Sequence, residues 1–294
     1  MNAHSPPRLS LIERAAQVYD FDAALRPREA AAPIVADESH VAVTPFAPAV
    51  SPRTAHTHGT IDRAALEERG FALPDAPVGP LAEELRIVKR GVLSAVRAQG
   101  PGKGQIVMVC SARPDDGKTF TAVNLGLSLA SERDTDVLLV DGDVAKPEIL
   151  STLGLEGGPG LMDALGDPAL DPESLVIATD ISGLSVLSAG RQAHDATELL
   201  ASGRMAEILA RLTEAHPCRI ILFDSPPALA ASAASAIAGH AGQVIMVVRA
   251  DRTTESDLRE AVTLVSSCSE IRLVLNCAAY ASGKKRFSYY GVGQ

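Results

Sequence analysis

The chain has 294 residues, 46% of them hydrophobic, and 27 basic against 36 acidic side chains give a net charge of −9. That apolar content excludes a globally disordered chain, and the acidic balance argues against a nucleic-acid partner. Four cysteines without CxxC spacing argue against a zinc site, and no apolar run reaches the ~20 residues of a membrane span. With no secretory pattern at the N-terminus either, the expectation is a cytoplasmic protein with no direct membrane span.

Residues 10–19 (SLIERAAQVY) read as a short amphipathic helix within an N-terminal segment of residues 1–25. Ser10 and Glu13 make a capping-box pattern, and Leu11, Ile12, Ala15, Ala16 and Tyr19 form an apolar stripe. Residues 26–60 are rich in Pro, Ala, Thr and His without a stable period, which is the composition of a linker. Helical patterns return over 61–70 and 81–97, in a helical segment spanning 61–100. From 101 to 280 the pattern becomes regular. Apolar, β-rich runs at 106–110, 137–140, 184–187, 219–223, 244–248 and 271–275 alternate with helical stretches at 118–131, 197–215, 231–238 and 254–267. This alternation predicts an α/β fold, a mainly parallel sheet with helices on both faces. In such sheets ligands bind beyond the carboxyl ends of the strands.

Three strand ends carry chemistry. The first, ARPDDGKT at 112–119, follows a strand and opens a helix, the setting in which backbone N–H groups receive phosphate. Lys118 would reach the β- and γ-phosphates and Thr119 would ligate Mg²⁺. Ala112 stands where the phosphate-loop pattern begins with glycine. The second, VLLVDGD at 137–143, places Asp141 and Asp143 at i and i+2, so both side chains leave the strand in one direction. One acid would serve the Mg²⁺ shell while the other accepts a proton. The third, IILFDSPP at 220–227, ends an apolar strand on Asp224, a further Mg²⁺ candidate. Pro226 and Pro227 stiffen the loop behind it.

In this order the three motifs resemble the Walker A, Walker A′ and Walker B motifs of bacterial tyrosine kinases, a branch of the MinD/ParA-like phosphate-loop ATPases. Within that family the chain is most similar to the exosortase-associated tyrosine autokinases of exopolysaccharide gene clusters. The resemblance covers about residue 81 to the C-terminus, with SLIERA and the linker matching that subgroup. It implies a phosphate-loop fold, ATP and Mg²⁺ as cofactors, and nucleotide contacts from Asp115, Asp116, Gly117, Lys118, Thr119 and Phe120. Lys118, Asp141 and Asp143 would be catalytic, and Thr119, Asp141 and Asp224 would serve the metal. Asn276, after the last strand, falls where related ATPases contact adenine.

Two departures stand out. Asp115 replaces the first glycine of the family's Gly-x-Gly before the Walker lysine, which would put a side chain at a left-handed or close-approach backbone position. Ala145 replaces the arginine that follows the second Walker A′ acid, although Lys146 and Pro147 are kept.

The same resemblance assigns Glu83, Arg86 and Lys89 to the family's EX2RX2R helix motif for ring-like self-association. On residues alone they make ordinary i,i+3 charge pairs on a helix face. Tyrosine is scarce, yet Tyr280, Tyr289 and Tyr290 are three of its four occurrences and fall in the last fifteen residues. In the resembled family such a tail (here 281–294) is autophosphorylated in trans. Each phosphate would add about −1.5 to −2 charge beside Lys284, Lys285 and Arg286. Tyr280, close to the last strand, has a packing role as its alternative. The implied partners are further copies of the chain and a membrane chain-length determinant, or polysaccharide co-polymerase, that would recruit it to the inner membrane face. Two rival readings share the Walker elements: a MinD/ParA-like ATPase switch without kinase activity, and a nucleotide-binding adaptor with weak catalysis.

Overall fold

The structure is a computed structural model that describes residues 57–278. The helix expected at 10–19, most of the 26–60 linker, and Tyr280, Tyr289 and Tyr290 lie outside the described residues.

Eight strands form one sheet: β1 (Thr57–Gly59), β2 (Ile106–Ser111), β3 (Asp136–Asp141), β4 (Ile177–Thr179), β5 (Leu184–Leu187), β6 (Arg219–Asp224), β7 (Gln243–Arg249) and β8 (Ile271–Asn276). Their order is β1-β4-β5-β3-β6-β2-β7-β8. Every neighbouring pair is parallel except β4 with β5. Only the four residues 180–183 separate those two strands, too few for the crossover that a parallel pair needs.

Strands β2, β3 and β6 are buried almost end to end, as a sheet covered on both faces requires. The covering helices are α1 (Arg63–Glu68), α2 (Pro80–Gln99), α3 (Lys118–Ala130), α4 (Ile149–Leu153), α5 (Leu161–Gly166), α6 (Ala196–Leu200), α7 (Gly203–Glu214), α8 (Ala233–His240) and α9 (Glu255–Leu264).

The six longer strands lie where the apolar runs place them. Strands β1 and β4, three residues each, carry too few positions to show a period. As a result the end of the expected linker, Thr57–Gly59, is an edge strand paired with β4. The single helix expected over 197–215 is two, α6 and α7. Ser202 interrupts it by turning its hydroxyl back to accept from the Met205 N–H at 3.4 Å, which starts a new helix.

The 61–100 segment is part of the body. Ile61, Leu66, Phe71, Leu73 and Val92 are buried in one apolar cluster with Val107, Leu125 and Leu139. No described helix is long and apolar enough to cross a membrane.

Candidate active site

The site forms where β2 ends between β6 and β7 and the chain turns into α3. Two residues of the turn adopt left-handed backbone. Gly117, which caps α3, has φ 98°, and a Cβ there would sit 2.1 Å from Asn276 Nδ2. Asp115 has φ 64°, the conformation anticipated for a side chain at the first glycine position.

This costly turn is tied down from several sides. The Asp116 carboxylate accepts the Arg113 N–H at 3.0 Å and the Thr253 hydroxyl at 3.2 Å. Arg249 donates to the Asp115 carbonyl at 3.1 Å, and Asn276 Nδ2 donates to the Asp116 carbonyl at 3.0 Å. Arg113 makes a two-pronged pair with Asp257, at 2.9 Å for each prong. That guanidinium, helped by Thr254, draws the Asp257 carboxyl down to about 2. The loop from β7 to α9 therefore holds the phosphate loop, a function that no short motif signals.

Around the first turn of α3 the acids converge. Lys118 Nζ lies 2.9 Å from Asp143 Oδ2 and 3.8 Å from Asp224 Oδ1, and Thr119 Oγ1 donates to Asp224 Oδ2 at 2.6 Å. The register places Asp141 beside Asp224 at the ends of adjacent strands. Burial pushes the Asp141 carboxyl up to about 7, against the pull of the Ile149 and Asp143 amides. Those amides donate to its two oxygens at 3.0 and 3.3 Å. Asp224 is pushed up to about 6, again by burial, with Lys118 and Thr119 opposing. Burial alone would lower the Lys118 pKa. The attraction of Asp224 and Asp143 outweighs it, so the net shift is upward and Lys118 stays charged.

Beside these groups opens a cavity of ≈ 480 Å³. Lys118, Thr119, Asp143 and Asp115 reach it from the motifs, Phe120 from α3, and Pro226 and Pro227 from the loop after β6. Its far wall comes from a part of the chain that no motif marks: Arg69 and Phe71, between α1 and α2. Phe71 and Phe120 pack with ring centroids 4.8 Å apart.

Thus Asp115, Gly117, Lys118, Thr119, Phe120 and Asp143 line one space, with Asp224 directly beneath Lys118 and Thr119. Asp141 instead faces the loop that leads from Asp143 to α4. Asn276 braces the phosphate loop by its side chain.

Glu83, Arg86 and Lys89 do not stay together. Glu83 and Arg86 pair on the outer face of α2. Lys89 is buried and turns inward, 2.7 Å from Glu132 and 3.1 Å from the Ser128 carbonyl, so its ammonium binds α3 and the residues just after it.

No protein-family model matches the chain. Similar curated proteins are the putative tyrosine-protein kinase EpsB of Ralstonia nicotianae, 30% identical over 74% of this chain, and the tyrosine-protein kinase YwqD of Bacillus subtilis, 30% identical over 63% of it. The chain spans 29% of the length of EpsB and 77% of YwqD. Among solved structures, the kinase domain of VpsO is 34% identical with a TM-score of 0.58, covering 67% of this chain and 94% of that one. The BceF tyrosine kinase domain is 26% identical with the same TM-score, covering 74% of this chain and 91% of that one. With its phosphate loop, its strand-end acids, and YwqD and the VpsO kinase domain matched across most of their length, this chain belongs to the bacterial tyrosine-protein kinases.

Proposed function

We propose that the protein is an ATP- and Mg²⁺-dependent protein-tyrosine autokinase that modifies Tyr289 and Tyr290 of a neighbouring copy, with Tyr280 as a further acceptor. The observation that carries this reading is Lys118 set between Asp143 and Asp224 beside the ≈ 480 Å³ cavity. It puts a cation, a proton acceptor and a buried carboxylate around one space.

Backbone N–H groups at the start of α3 and the Lys118 ammonium receive the phosphates of the nucleotide. Asp143, on the cavity wall, orients the tyrosine hydroxyl and takes its proton. As the tyrosine oxygen bonds to the terminal phosphorus, the bond from that phosphorus to the bridging oxygen breaks. ADP leaves with the electron pair. Asp141 acts one step back, holding the 142–149 loop through its amides so that Asp143 keeps its place.

The residues fit a divalent cation. Asp224 Oδ1 is buried with no hydrogen-bond partner, and the Thr119 hydroxyl lies against Oδ2 of the same carboxylate. Thr119 and Asp224 would hold Mg²⁺, with Asp141 as the neighbouring acid. When bound, Mg²⁺ offsets negative charge on the phosphate oxygens.

Incubation of the full chain with labelled ATP and Mg²⁺ tests the reading. Label is expected on Tyr289 and Tyr290, and Y289F/Y290F should remove most of it. Released phosphate without labelled protein would point to an ATPase switch instead.

The outer face of α2 supports self-association through Glu83 and Arg86, with Lys89 contributing to the fold of the subunit. The double variant E83A/R86A is expected to lower both the light-scattering mass and the rate of labelling in trans. Unchanged mass and rate would remove the assignment. The motif-level resemblance also supports regulation of exopolysaccharide synthesis and export, with recruitment to the inner membrane face by a chain-length determinant protein.

A further inference from the structure

Arg69 lies outside all three strand-end motifs, yet the fold presents it rigidly to the phosphate cavity. Helix α1 ends in a Schellman turn: the Phe71 N–H donates to the Leu66 carbonyl at 2.9 Å and the Gly70 N–H to the Glu67 carbonyl at 3.0 Å. Gly70 takes the left-handed conformation this turn needs, with φ 80°. One residue on, the Ala72 N–H donates at 2.8 Å to the side chain of Asn124, a buried residue of α3. The corner carrying Arg69 is therefore fastened to the same helix whose first turn holds Lys118 and Thr119.

The side chain is also placed. Its guanidinium lies 5.5 Å from the centre of the Phe71 ring and donates to the Thr152 carbonyl at 3.4 Å. Three cations line the cavity: Arg69, Lys118 and Lys146. Lys118 is neutralised by Asp143 and Asp224, and Lys146 by Glu148 at 2.8 Å. Among the described residues no carboxylate pairs with Arg69. A guanidinium held on a ring face and a carbonyl keeps donors free, and its planar fork matches a phosphate. On the same cavity wall Ala145 offers only a methyl group.

We propose that Arg69 binds the terminal phosphate of the nucleotide and offsets the charge on that group as it passes to tyrosine. The assignment rests on the kinase reading above and adds a contact from the 61–73 segment, outside the Walker motifs. It makes Arg69 sensitive to whether the nucleotide carries a third phosphate.

The test compares R69Q and R69K with the wild-type full chain, measuring binding of ADP and of a non-hydrolysable ATP analogue in Mg²⁺, and transfer from labelled ATP. R69Q is expected to leave ADP affinity and the thermal midpoint unchanged. Analogue affinity should fall about tenfold, the size of one charge-assisted hydrogen bond. Transfer should fall by about 10²–10³, as when a donor to developing charge is removed. R69K, which keeps the charge but loses the fork, should fall between.

Equal losses for ADP and analogue would overturn the proposal, since a role confined to propping Phe71 or the phosphate loop has that signature. Unchanged analogue affinity and transfer would overturn it too. A wild-type chain that prefers the analogue through Arg69 but labels no tyrosine would sink the kinase reading while leaving the phosphate contact standing. Failure of the wild type to bind either nucleotide would sink both.

Discussion

Lys118→Met is expected to remove tyrosine labelling, lowering transfer by at least ~10²–10³, and to destabilise the protein at the same time. The ammonium is buried and holds Asp143 at 2.9 Å and Asp224 at 3.8 Å. Methionine fills much of its volume but leaves both carboxylates without their cation. Breaking a buried ion pair by removing one partner costs about 3–5 kcal/mol when the remaining charge cannot escape. Here it can escape in acid, because burial already lifts Asp224 to about 6. The stability deficit of the variant should therefore be large at pH 8 and shrink towards pH 5. Urea unfolding at the two pH values measures it, and nucleotide-dependent labelling at pH 8 measures the catalytic loss. A deficit that does not change with pH would mean that Lys118 contributes packing alone.

The second large effect is a pH dependence opposite to the usual one for carboxylates. In the folded chain Asp141 titrates at about 7 and Asp224 at about 6, against 3.8 for a solvated aspartate. Between about 4 and about 7 the folded state holds a proton on Asp141 that the unfolded state releases. The folded state binds more protons, so stability falls as pH rises through that window, by up to ~1.4 kcal/mol per pH unit for one group. Asp224 adds to the slope from about 4 to about 6. Metal-free protein in EDTA should thus be most stable in mild acid.

Asp141→Asn removes one of these titrations. The variant should show a flatter pH profile and unfold at higher urea than the wild type at pH 8. The gain is about 3 kcal/mol, after an offset of about 1 kcal/mol for the loop amide that asparagine leaves without an acceptor. Transfer should fall, since that amide helps hold Asp143. An unchanged slope would show that Asp141 is ionised in the fold throughout this range. The expected gain in stability with a loss of activity has a simple cause: the proposed site concentrates buried carboxylates at the expense of the metal-free fold.

Much of this arrangement is legible before any coordinates. Strands β2, β3, β6 and β7 announce themselves because a strand buried on both faces must be apolar at nearly every position. Strand β8, at the sheet edge, is equally apolar although Leu273 and Leu275 are exposed. The phosphate loop is legible because its residues are consecutive. Even the left-handed conformation of Asp115 follows from its place in the glycine pattern. Strands β1 and β4 are illegible because pairing, not local preference, makes three residues a strand. Lys89 misleads for a related reason. Charge spacing along a helix says which residues share a face, but not that this ammonium is drawn in to Glu132 and Ser128.

By itself, then, the chain's sequence determined the alternation of strands and helices, the three strand-end motifs and the acids that end two of the strands. All are properties of neighbouring residues. Tertiary structure alone decided that Asp141 and Asp224 share one buried register and titrate far above solvated aspartate, because burial depends on what covers a group. It also decided that the 61–100 segment belongs to the body and that Arg69 and Lys118 line one cavity. Side chains almost fifty positions apart share a cavity only when a Schellman turn and a buried asparagine bring their backbones together.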